Sequence, residues 1–193
     1  MNDKKIILAS ESPRRRDLLE QAGIDFIVIP SSINESVFAK EEPSNYVKKL
    51  SAAKALDIAE KYPEAWVIGA DTVVAIDGII LEKPESREHA AKMLEKLSNR
   101  VHMVYTGFAL CCKNSNRIFK KSIKTEVKFK KLSAREIEWY VNTDEPFDKA
   151  GAYAIQGLGT FIVKSINGSY TNVVGLPVCE VVEILIKENI ISR

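Results

Sequence analysis

Long apolar runs are missing from this 193-residue chain. No stretch approaches the about 20 apolar residues of a membrane span. Ile6-Ile7-Leu8-Ala9, behind two lysines, is too short for the apolar core of a signal peptide. The expected location is therefore the cytoplasm, without a membrane partner. Cysteine is scarce: Cys111 and Cys112 are adjacent and Cys179 stands alone, which leaves no CxxC pair and no Cys/His cluster for zinc. The two histidines, His89 and His102, lack metal-ligand spacing, so core or surface roles are the better reading for all five residues. A charge excess is lacking too. With 28 basic and 26 acidic side chains the net charge is +2, short of the basic surplus of a general nucleic-acid binder. Repeats, low-complexity tracts and linkers are also missing. The length fits one domain, or one domain with two lobes whose boundary is not readable.

What is there is an ordinary globular mixture, 46% hydrophobic and 28% charged, able to bury a core. Strand-like and helix-like segments alternate. Lys5–Ala9 reads as a strand, Pro13–Ala22 as a helix, Asp25–Ile29 as a second apolar run and Ser31–Ala39 as a polar loop. Ser44–Tyr62 has helical spacing through Tyr46, Leu50, Ala53, Leu56 and Ala59. Trp66–Ala70 reads as a short buried strand ending at Asp71. Val73–Ile76 and Ile79–Leu81 flank Asp77-Gly78, a hairpin signal. Arg87–Leu97 is an amphipathic helix. Val101–Cys112 and Arg117–Phe129 are long strands joined by Lys113-Asn114-Ser115-Asn116. Ser133 and Glu136 form a capping box before the helix Ala134–Val141. A loop over Thr143–Gly159, a strand over Thr160–Ile166 and a closing helix over Leu176–Glu188 complete an α/β plan with a mixed sheet and flanking helices.

Several residues are candidates for chemistry. In Ser10-Glu11-Ser12-Pro13-Arg14-Arg15-Arg16 a strand runs through a polar turn into a helix. Ser12 suits the N-cap and Pro13 the first turn. The free N–H groups, the positive dipole end and the arginines fit a phosphate, and they fit a capped, solvated helix start equally well. No GxxxxGK[ST] element is present, so this is not a P-loop. Asp71 in Gly69-Ala70-Asp71-Thr72 follows an apolar run, where a carboxylate is costly unless paired or bound to a cation; a turn-capping aspartate is the plainer alternative. Glu35, in the polar stretch 31–35, is a candidate second carboxylate for Mg²⁺, or an exposed loop residue. Lys54 and Lys83 either contact phosphate or face water. Asp148–Gly157 combines an acid, a base, two glycines and Gln156, whose amide can read a base edge. Gly168–Pro177 is a second such loop.

Together these stretches resemble the Maf family of nucleoside triphosphate pyrophosphatases. The matching residues are LASESPRR at 8–15, Glu35, Lys54, GADTVV at 69–74, KP at 83–84, YTG at 105–107, TEVKF at 125–129, DKAGAYAIQG at 148–157 and GSYTNVVGLP at 168–177. They fall in order along almost the whole chain. The resemblance implies two lobes around a deep cleft, a fold similar to inosine triphosphate pyrophosphatase, and hydrolysis between the α and β phosphates with a divalent metal, Mg²⁺ or Mn²⁺. It implies that Ser10, Arg14, Lys54 and Lys83 hold the triphosphate, and that Glu35 and Asp71 serve the metal and the attacking water, with Asp71 the proton acceptor. SPRR, GADT and AYAIQG resemble the branch acting on dTTP and UTP, in which Arg15, Thr72 and Gln156 would read the base. Glu82 departs from the pattern, standing where the family usually has glycine.

A free aspartate titrates near ~3.9, and a bound cation would lower that further. The expectation is therefore that metal does much of the water activation, while Asp71 orients the water and accepts its proton late. On that reading Asp71→Asn binds nucleotide and loses nearly all turnover. The rival readings are a nucleotide-sensing regulator of septum formation without turnover, a nucleic-acid binder using Arg14-Arg15-Arg16, a 7-methyl-GTP pyrophosphatase, and an enzyme that clears modified pyrimidine triphosphates. The near-neutral charge argues against nucleic acid. A homodimer is suggested by the resemblance alone.

Overall fold

A computed structural model describes residues 5–39 and 41–193. Met1–Lys4, with the first lysine of the N-terminal pair, lies outside the described residues. In chain order the regular elements are β1 (Ile6–Leu8), α1 (Pro13–Gln21), β2 (Ile27–Val28), α2 (Pro43–Lys61), β3 (Trp66–Ile76), β4 (Ile79–Leu81), α3 (Arg87–Leu97), β5 (Val101–Cys112), β6 (Arg117–Phe129), α4 (Ala134–Val141), β7 (Val163–Asn167), α5 (Tyr170–Val174) and α6 (Val178–Lys187). The strands form one mixed sheet in the order β2-β1-β3-β5-β6-β7, with β4 beside β3. β1 is parallel to both β2 and β3, while β3–β4 and β6–β7 are antiparallel. The mixed α/β class is as expected. No helix among the described residues is long and apolar enough to cross a membrane.

The local signals explain most of these elements. Asp77 and Gly78 both take positive φ, as a two-residue hairpin turn between Ile76 and Ile79 requires. The capping box is present at α4: the Ser133 side chain receives the Glu136 N–H, and the Glu136 carboxylate receives that of Ser133. α2 begins on Glu42, whose carboxylate accepts the N–H groups of Ser44 and Asn45.

Elsewhere the structure departs from the reading. β3 does not stop before Asp71 but runs to Ile76, which leaves Asp71 in mid-strand. Ser12 is the N-cap of α1 without using its side chain; Ser10 Oγ instead accepts the Ser12 N–H at 3.3 Å. The polar loop at 31–39 contains a 3-10 turn, Glu35–Val37, capped by Asn34. The 143–159 stretch holds 3-10 turns at Glu145–Asp148 and Ala150–Ala152, and another starts at Gly157 and runs to Phe161. That last turn uses Thr160 and Phe161, so β7 starts only at Val163. The run 168–177 contains the short helix α5. The apolar pair of β2 is exposed at the sheet edge.

The chain divides into two compact units, Met1–Asp71 with Thr106–Ile123 and Gly175–Arg193, and Thr72–Tyr105 with Lys124–Val174. In the first, α2 lies against β3 and β5 through Ala52, Ala55, Ile58, Val67, Ala109 and Cys111. Gly69 and Gly107 permit that approach: a Cβ on Gly69 would stand 2.3 Å from the Ser51 carbonyl oxygen, and one on Gly107 2.2 Å from that of Val47. In the second unit, Leu94 and Leu97 of α3 and Tyr140 of α4 pack with Val74, Val127 and Phe129. His102 is buried there and His89 is exposed.

Candidate functional site

Six of the residues singled out in the sequence come together in the first unit. β1 delivers Ser10 at its C-terminal end, and α1 carries Arg14 and Arg15 in its first turn. Arg15 donates from Nη1 to Ser10 Oγ at 3.0 Å and from Nε to the Gly175 carbonyl at 2.8 Å. Ser10 is buried and Arg15 partly so. Burial lowers the Arg15 pKa, Asp71 and Glu35 oppose that shift, and Arg14 adds to it. One electrostatic neighbourhood thus contains two arginines and two carboxylates.

Lys54 joins the carboxylates. Its ammonium lies 2.8 Å from Asp71 Oδ1 and 2.9 Å from Glu35 Oε1. The Lys54 and Asp71 side chains are each only 12% exposed, whereas that of Glu35 is 54% exposed, so the cluster opens on the Glu35 side. The geometry follows from the elements: α2 rests on Gly69, two residues before Asp71 and on the same face of β3. Asp57, one helical turn after Lys54, fixes the loop that leads to Glu35. Its carboxylate accepts Ser31 Oγ at 2.9 Å and the Ser32 N–H at 3.0 Å.

Asp71 differs from the expectation in its ionisation. Burial raises its pKa above the ordinary carboxylate value, against the opposing charges of Lys54 and Arg15. The expectation of a value near that of a free aspartate neglected the desolvation of a mid-strand carboxylate.

Thr72, Lys83 and Gln156 belong to the second unit. Thr72 follows Asp71 on β3 and is partly buried. Lys83 is exposed before the buried Pro84. Glu82, the departure from the family pattern, gives its backbone carbonyl to the Gly151 N–H at 3.0 Å, so the turn is tied to the 148–157 stretch through the main chain. Gln156 is partly buried with extended backbone. The stretch 168–172, which leads into α5, is fastened to β6: Thr125 Oγ1 accepts the Ser169 N–H at 3.1 Å and the buried Asn172 Nδ2 at 2.9 Å. Thr125 and Asn172 therefore hold the start of α5 against the sheet.

Two residues of this unit had no sequence signal. Glu145 and Tyr140 hydrogen-bond to each other at 2.8 Å and to the backbone around Gln156. Their pairing spans a helix end and a 3-10 turn, where neither period 2 nor period 3.6 applies.

The residues present suit a small hard cation. Among the described residues no group of three or more His, Cys, Asp or Glu could hold a metal by itself. Two carboxylates meet at a single ammonium, and Mg²⁺ is commonly bound by one or two carboxylates with phosphate and water oxygens completing the shell.

The family model described as Maf-like protein matches residues 5–188. The dTTP/UTP pyrophosphatase of Syntrophus aciditrophicus (strain SB) is 50% identical over 185 residues, 96% of this chain and 90% of that protein. That of Citrifermentans bemidjiense is 50% identical over 185 residues, 96% of each chain. That of Pyrococcus furiosus is 46% identical over 182 residues, 94% of each. The solved Staphylococcus aureus Ham1 protein superposes with a TM-score of 0.48 at 17% identity, over 83% of this chain and 80% of that one, a likeness too slight to bear on fold or function. The chain belongs to the Maf-like protein family.

Proposed function

We propose that this chain hydrolyses dTTP and UTP to the nucleoside monophosphate and pyrophosphate. The observation that carries the reading is the pair Glu35 and Asp71, held on the Lys54 ammonium beside the Ser10–Arg15 turn. Relatives at about half identity over nearly the full length are named for this substrate pair.

The chemistry asks for charge stabilisation and positioning. Arg14, Lys54 and the helix start at Pro13 supply positive charge to the phosphates. The family resemblance adds Lys83 to that set and gives base reading to Arg15, Thr72 and Gln156. Asp71 orients a water and takes its proton as the water oxygen bonds to the α-phosphorus; the α–β bridging P–O bond breaks and pyrophosphate leaves with that electron pair. Glu35 and Asp71 would hold a divalent cation, Mg²⁺ or Mn²⁺, which when bound neutralises phosphate charge and acidifies water. Lys54, placed on both carboxylates, keeps their charge compensated before the substrate arrives.

The test is a panel of dTTP, UTP, CTP, ATP, GTP and 7-methyl-GTP with Mg²⁺ or Mn²⁺, with pyrophosphate and orthophosphate assayed separately. Pyrophosphate from dTTP and UTP, abolished by EDTA, is the expected result. Pyrophosphate from 7-methyl-GTP alone overturns the base assignment. Nucleotide binding with no release overturns the enzyme.

A further inference from the structure

Gln156 stands in a loop whose two ends are fastened to one pair of side chains. On the N-terminal side, the Ala154 N–H donates to Tyr140 Oη at 3.2 Å. On the C-terminal side, the Leu158 and Gly159 N–H groups donate to the Glu145 carboxylate at 2.8 and 2.7 Å. Tyr140 Oη donates to the same carboxylate at 2.8 Å, so both ends close on a single hydrogen-bonded unit. Burial and the neighbouring Glu145 raise the Tyr140 pKa, which keeps the phenol protonated as a donor.

The packing leaves no slack. Gly157 has φ of +68°, and a Cβ there would lie 2.3 Å from Glu145 Oε2. A Cβ on Gly159 would lie 2.4 Å from the Ala154 carbonyl oxygen and 2.8 Å from Tyr140 Oη. Lys149 Nζ holds the Glu145 carbonyl at 2.6 Å and fixes the turn that presents the carboxylate. Three residues, Ile155, Gln156 and Gly157, span the clamp. Gln156 has no side-chain hydrogen bond among the described residues, so what the clamp fixes is the main chain from which its amide extends.

We infer that Tyr140 and Glu145 are specificity-determining positioning residues, which hold the Gln156 amide in the one place where it can read a pyrimidine edge. This rests on the reading that Gln156 contacts the base. A partly buried carboxylate that accepts three hydrogen bonds is a stiff anchor, because each bond to a charged acceptor is stronger than a neutral one. Discrimination built on hydrogen bonds to a base edge depends on donor and acceptor placement, and a loosened loop forfeits it while leaving the phosphate chemistry in place.

The experiment compares Tyr140→Phe, Glu145→Gln, Gln156→Ala and the double variant Tyr140→Phe/Gln156→Ala with the unsubstituted protein. kcat and KM are measured for dTTP, UTP, CTP and ATP, together with the thermal midpoint. Tyr140→Phe should raise KM for dTTP and UTP about tenfold with kcat little changed, and should lower their preference over CTP and ATP by a similar factor. The double variant should lose no more discrimination than Gln156→Ala alone, since both act by one route. Glu145→Gln keeps one acceptor oxygen and should show an intermediate loss, which provides a second reading if Tyr140→Phe folds poorly. Discrimination that falls in Gln156→Ala and holds in folded Tyr140→Phe and Glu145→Gln overturns the clamp alone. Discrimination that holds in Gln156→Ala overturns the base reading, and the clamp with it. An equal loss on every nucleotide also overturns the clamp, since it marks a structural role only.

Discussion

The ammonium of Lys54 explains how a carboxylate can sit in the middle of a buried strand. Asp71 would be costly in that position without a partner, and the strand would then end before it, as the sequence suggests on its own. The cost was legible in the sequence; the partner was not, because Lys54 lies on another element and only packing brings it to Asp71. His102 is a second residue whose environment the sequence could not give. Its Nε2 lies 2.8 Å from Tyr153 Oη, its ring meets Phe129 and Tyr153 edge-on, and burial lowers its pKa from 6.5 to about 3. Below pH 6.5 the unfolded chain takes up a proton that the folded chain refuses until about pH 3. Stability is therefore lost as the pH falls through that window, by at most about 1.4 kcal/mol per pH unit from this residue. Urea unfolding between pH 6.5 and 5 should show a shallower slope for His102→Gln than for the unsubstituted protein. Equal slopes would mean that the imidazole is not held neutral.

At the scale of elements, the decisive contact is α2 on β3. Helical spacing predicts α2 and the apolar run predicts the start of β3, but neither says that they touch. Gly69 settles it, since a side chain there would meet the backbone of Ser51 and Ala55. Gly69→Ala should push the helix off the strand, cost about 1–3 kcal/mol of stability, and draw Lys54 away from Asp71. Pyrophosphate release should then fall with the thermal midpoint; an unchanged midpoint with unchanged activity would contradict the role given to this contact. The elements with strong local chemistry, namely the hairpin at Asp77-Gly78, the capping box of α4 and the amphipathic α3, were legible to within a residue or two. The stretch 143–159 was not, because its 3-10 turns are set by Glu145, Tyr140 and Lys149 through tertiary bonds rather than by periodicity.

For the whole molecule, neither unit is one continuous segment of the chain. β3, β5 and β6 each give residues to both. No composition shift marks such a division, which is why the boundary could not be read. The order of the matching stretches could be read, and it runs through the same 5–188 region that the family model covers. Within the first unit, residues spread from Ser10 to Asp71 meet as one charged cluster, and the central claim is that this cluster directs water to the α-phosphorus. The most direct test is hydrolysis of dTTP in ¹⁸O-labelled water, with mass analysis of both products. The expected result is label in the thymidine monophosphate and none in the pyrophosphate. Label in pyrophosphate or orthophosphate would place the attack at another phosphorus and contradict the claim.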